Sequence, residues 1–100
     1  VTILVIGTVR LPPENIARAA PAMTAMLAGS RAEDGCFEYA YSYDVLEPGL
    51  VRVTEVWRDR EALAAHFETP HMAAWRAAFP ELQITDRQLA LYEAGEPEPV

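Results

Sequence analysis

His66 and His71 are the only histidines of the chain, and with both tryptophans, Trp57 and Trp75, they fall in one stretch, TEVWRDREALAAHFETPHMAAWRAAF, from Thr54 to Phe79. A neutral imidazole set among aromatic rings is a proton acceptor in an apolar pocket, which is what deprotonating and enclosing a small planar molecule requires. His66 stands on the Leu63 side of its helix and next to Phe67, so it is the candidate base; a satisfied structural histidine is the alternative. Trp57, Phe67, Met72, Trp75 and Phe79 are the candidate walls, and a packed core is their alternative reading. His71 opens a helix, where the positive dipole end opposes protonation, and is expected to fix the helix junction instead. The two histidines are five residues apart, off the four-residue spacing of one helix face, and the Thr69-Pro70 break turns them further apart, which argues against a metal site.

The elements that must hold these groups follow from pattern. Val1 to Arg10 is β-branched and almost wholly apolar, as in a central strand covered on both faces. Pro13 can open a helix running to about Ser30, with Ile16, Ala20, Met23 and Leu27 on one stripe and a kink at Pro21. Ala28-Gly29-Ser30 ends that helix, and Glu33-Asp34-Gly35 turns into a strand, Cys36 to Asp44. Strict alternation there puts Phe37, Tyr39, Tyr41 and Tyr43 on one face. Rings of this kind usually pack against helices, but a phenol keeps a polar tip, and Tyr39 or Tyr41 is a candidate to orient a ligand. Glu47-Pro48-Gly49 turns into Leu50 to Arg58, which brings Glu55 and Trp57 to one face. Asp59 can cap the His66 helix, and Thr69-Pro70 can restart a second one that Pro80 should end. Gln83 to Glu93 reads as a last strand, and residues 94–100 as a polar tail.

The order strand, helix, strand, strand, helix pair, strand is the split βαβ pattern of an α+β, ferredoxin-like fold with an antiparallel sheet, in a single domain over residues 1–93. A net charge of −7 with no lysine argues against a nucleic-acid or anionic-membrane partner. The 51% apolar share is high for 100 residues and favours a homodimer. No run reaches the ~20 apolar residues of a membrane span and no leader pattern opens the chain, so a cytoplasmic location is expected. The lone Cys36 reads as a small buried hydrophobe. No CxxC, HExxH, phosphate loop or Gly-x-Ser-x-Gly elbow is present, so zinc, nucleotide and hydrolytic readings find no support.

Glu33-Asp34-Gly35-Cys36 followed by Tyr39, then Glu55-Val56-Trp57, Ala62-Leu63, His66 and Thr69-Pro70-His71 together resemble the antibiotic biosynthesis monooxygenase family of small quinol-oxidising proteins. The resemblance implies a dimeric α+β barrel and oxidation of a quinol or similar electron-rich aromatic by dioxygen, without a cofactor. His66 would be the base, and Tyr39 or Tyr41 would donate to a substrate oxygen. Relatives of the same fold include isomerases and stress-related binding proteins, the alternative function. The haem-degrading branch uses a first-strand Asn, a helix Trp and an axial His. The matching positions here are Val9 or its neighbour, His66 and Arg76, so the resemblance does not extend to haem.

Overall fold

A computed structural model describes residues Val1–Val100. Strand β1 (Thr2–Arg10) leads through a 3-10 turn at Pro13–Asn15 into helix α1 (Ile16–Arg31). Strands β2 (Cys36–Tyr43) and β3 (Leu50–Trp57) form a hairpin, followed by α2 (Arg60–Phe67), α3 (Pro70–Leu82) and β4 (Thr85–Ala94). All strand pairs are antiparallel, in the order β2-β3-β1-β4, so the apolar first strand is central as its composition predicts. The α+β, ferredoxin-like reading of the sequence holds.

One face of the sheet carries all three helices. Ile3, Val5 and Val9 of β1, Val51, Val53 and Trp57 of β3 and Tyr39 of β2 are buried there against Ala19, Met23 and Met26 of α1, Leu63 of α2, and Met72 and Trp75 of α3. The other face is open in the single chain, where the sequence predicts cover on both. Ile6 is 46% exposed, and Leu4 lies across from Val56 and Tyr92 on that same open side.

Three expectations are corrected. The four-ring face of β2 is interrupted by a register shift between Cys36 and Glu38, a bulge in which one extra residue breaks the period of two. Phe37 is thereby 63% exposed, beside Leu4 and Val56, while Tyr39 is buried with the helices. Helix α1 ends at Arg31, within one residue of the expected end, with Pro21 inside it. The backbone bond lost is the one to the Ala17 carbonyl, on an exposed stretch where water can satisfy it. The buried stripe is Ala19, Met23, Met26 and Ser30, so Ala20 faces out.

Pro80 does not end α3, which continues to Leu82. The helix closes with Gln83 left-handed at φ 59°, its N–H donating to the Pro80 carbonyl and the Ile84 N–H to that of Phe79. This is a Schellman closure, which satisfies the last carbonyls and tolerates a proline one turn earlier. Asn15 locks the same end, its buried amide donating to the Leu82 carbonyl at 2.9 Å. Truncation of that amide leaves a buried acceptor unpaired, so Asn15→Ala should cost about 1–3 kcal/mol. Urea unfolding checks it, and an unchanged midpoint would place the closure of α3 elsewhere.

Candidate active site

His66 lies on α2, which begins at Asp59, whose carboxylate accepts the Ala62 N–H at 2.8 Å. His71 lies in the first turn of α3, capped by Thr69 with Pro70 as the first helical residue, the arrangement read from the sequence. Between them comes Glu33, from the turn after α1. Its Oε2 lies 2.7 Å from His66 Nδ1 and 2.7 Å from His71 Nε2. The expectation that the two histidines point apart is therefore wrong. Sequence spacing compares positions on one helix, whereas here a third element supplies a common partner.

Two glycines make this convergence possible. Gly35 has φ +83°, and a Cβ there would stand 2.7 Å from the Ala62 Cβ, so the turn carrying Glu33 presses directly on α2. A Cβ on Gly29 would stand 2.7 Å from His71 Cγ, so α1 leaves the space that the imidazole fills. The turn is pinned further by Arg58 N–H donating to the Gly35 carbonyl at 2.8 Å.

The electrostatics set the tautomers. An ionised carboxylate only accepts, so His66 donates from Nδ1 and presents Nε2 as a lone pair. His66 is 1% exposed, and Nε2 has no hydrogen-bond partner. Rings surround it: Trp57 at 4.7 Å, Tyr39 at 5.2 Å and Phe67 at 5.6 Å between centroids. Burial pulls the His66 pKa below its ordinary value, against the opposing pull of Glu33. Burial thus favours the neutral imidazole, and its Nε2 has no hydrogen-bond donor.

A buried acid lies on β3 beside Trp57. Glu55 is 4% exposed and accepts the Trp57 indole N–H at 2.9 Å. Burial raises its pKa, although the Trp57 bond and the charge of Arg87 oppose the rise. Burial likewise raises the phenols of Tyr39 and Tyr41, and the Trp75 indole donates to the Tyr41 hydroxyl at 3.3 Å.

The predicted wall residues divide into two sets. Tyr39 and Trp57 pack directly on His66, with Tyr41 and Trp75 beside them. Phe67, Met72 and Phe79 line an open cleft of about 560 Å³, together with Glu68, Arg76 and Arg87. Phe67 belongs to both and stands between base and cleft. Sequence reasoning missed Glu33, Glu55 and Arg87. Glu55 is the one acid in the buried alternation Val51, Val53, Glu55, Trp57, which is a usable signal; Glu33 looked like an ordinary turn residue. Cys36 is half-buried rather than buried, and its thiol pKa is raised, first by burial.

The sequence matches the family described as antibiotic biosynthesis monooxygenase over residues 2–78. It is 37% identical over 75 residues to a Mycobacterium tuberculosis protein named "Putative monooxygenase Rv0793", covering 73% of each chain. It is 29% identical over 94 residues to the uncharacterized protein sll1783 of Synechocystis, matching 94% of this chain but only 64% of the relative's length. A crystal structure of a Deinococcus radiodurans protein, described as a "putative antibiotic biosynthesis monooxygenase", superposes with a TM-score of 0.88 at 30% identity, covering 98% of this chain and 97% of the other.

The contact between Gly29 and His71 has a sign that can be tested. Alanine normally favours a helix interior over glycine by about 1 kcal/mol. Here Gly29→Ala should lower the thermal midpoint by pushing His71 off Glu33, and the same substitution in a His71→Ala background should raise it. Stabilisation in both backgrounds would show that the imidazole does not need the space.

Proposed function

Since the chain belongs to the antibiotic biosynthesis monooxygenase family, we propose that it is a cofactor-independent oxygenase acting on a quinol or related electron-rich aromatic, with His66 as the base. The observation that carries this reading is the buried, unpartnered Nε2 of His66, ringed by Trp57, Tyr39 and Phe67 and oriented from behind by Glu33. An acceptor with no donor among aromatic rings is suited to a substrate hydroxyl. Glu33 would hold the tautomer and stabilise the imidazolium once the proton arrives, the role of the third group behind any general base.

The redox work then falls to the substrate. Dioxygen is a triplet and reacts slowly with closed-shell molecules, but a phenolate can pass it one electron and recombine at carbon. For a hydroquinone the balance is hydroquinone plus dioxygen giving hydroxyquinone plus water. The ring would enter from the cleft lined by Met72 and Phe79, displacing Phe67, which is 40% exposed. Trp57, Trp75, Tyr39 and Tyr41 would enclose it and exclude water, with Tyr39 or Tyr41 donating to a substrate oxygen.

One observation favours a second reading. Burial displaces the pKa values of Glu55 and His66 in opposite directions, raising the carboxyl and lowering the imidazole, on neighbouring elements. An acid and a base displaced in this way could move a proton across a substrate without oxygen, as an isomerase would. Oxygen uptake on mixing with a panel of reduced quinols separates the two readings: uptake supports the first, and turnover without uptake supports the second.

The assembly we propose is a homodimer closed over the open sheet face. Leu4, Ile6, Val56 and Tyr92 share that face, with Phe37 at its margin, and Ile6, Tyr92 and Phe37 are exposed there in the single chain. Sedimentation at micromolar concentration should give twice the chain mass; a monomer would remove this claim.

His66→Ala should keep the fold and lower the rate by about 10²–10⁴-fold. The native rate should rise with pH through one ionisation whose midpoint lies below the ordinary imidazole value of about 6.5, because burial favours the neutral, active form. The variant should lose that ionisation, and His71→Ala should lose much less rate. The reverse order of the two variants, both folded, would move the base to His71.

A further inference from the structure

We propose that Glu33, His66 and His71 form a three-ligand site for a divalent cation of the zinc class. Each residue offers one donor atom, and the carboxylate oxygen and two imidazole nitrogens all lie within 4.8 Å of one another. Two imidazoles and one carboxylate suit first-row ions such as zinc, cobalt(II) or iron(II), whereas calcium and magnesium prefer all-oxygen sets. The donors come from three elements, and each is held independently. Gly35 presses the Glu33 turn onto α2, Asp59 caps the His66 helix, and Thr69 caps the His71 helix beside the space left by Gly29. His66 is fully buried while Glu33 and His71 are 12% and 23% exposed, so the cluster is reached from the His71 side. Three protein ligands leave at least one position for water.

Binding carries a consequence for the histidine itself. A cation on Nδ1 takes the lone pair there, so the His66 proton must move to Nε2, where the base described above needs a lone pair. The metal and the base are mutually exclusive, and the cation acts as an inhibitor. That coupling rests on the proposed oxygenase or isomerase reading; the site does not.

The protein, stripped with EDTA, is titrated with cobalt(II) and zinc(II). The expected result is a visible cobalt d–d band saturating at one ion per chain and displaced by zinc. Affinity should fall by at least about 10-fold in each of Glu33→Gln and His71→Ala, since loss even of a group that only supports a ligand costs about that much. His71→Ala removes the most exposed ligand, and circular dichroism confirms that each variant is folded; should Glu33→Gln unfold, Glu33→Asp replaces it. No d–d band at stoichiometric cobalt, or undiminished affinity in both folded variants, overturns the site. Zinc that binds with this variant pattern yet leaves turnover unchanged overturns the coupling while the site stands, and absent turnover in the metal-free protein counts against the catalytic reading alone.

Discussion

A single carboxylate oxygen, Glu33 Oε2, holds the helical layer together at its functional end. It receives two imidazoles from two helices and belongs to neither. The turn after α1, the body of α2 and the start of α3 are thereby joined at one atom. Thr69 also ties α2 to α3 by donating to the His66 carbonyl, whereas Glu33 brings in the turn after α1. The carboxylate also decides which nitrogen of His66 keeps its proton, so the local chemistry of an otherwise apolar region is set from its rim. An acid placed in solvent would lose most of this influence to water; at 12% exposure much of it remains.

Beneath that junction the interior is neither plainly apolar nor plainly polar. Glu55, Tyr39, Tyr41 and the indoles of Trp57 and Trp75 occupy the middle of what is otherwise a hydrophobic core. Burying such groups costs free energy unless each finds a partner, and the pairs Trp57–Glu55 and Trp75–Tyr41 supply partners by using the ring nitrogens as donors. His66 Nε2 is the exception. A core assembled for stability alone would have no reason to leave that acceptor unpaired, and this sets the region apart from the uniformly packed contact of α1 with the sheet.

Much of this was legible in the sequence, for physical reasons that differ by element. The central position of β1 followed from its unbroken β-branched run, and the helix pair followed from Asp59 and Thr69-Pro70, because caps and prolines act locally. The wall residues could be nominated because rings clustered within one stretch. Failures occurred where the outcome depended on a distant partner. The bulge at Phe37 is fixed by pairing with β3, the survival of α3 past Pro80 by the closure at Gln83 and Ile84, and the meeting of the histidines by a turn some thirty residues upstream. Glu55 was visible as an acid out of pattern, but its burial depends on the helices laid over it.

The packing of Trp57 on His66 also makes the molecule its own optical instrument. An excited indole transfers an electron readily to a protonated imidazole and poorly to a neutral one, and the two rings lie 4.7 Å apart. Emission from Trp57 therefore responds to the charge on His66, together with that on Glu55, which accepts its indole N–H. Trp75 packs against Tyr41 and Phe79, and it supplies an internal reference within the same spectrum. The intact chain can thus report by light whether its imidazole holds a proton, with no label added.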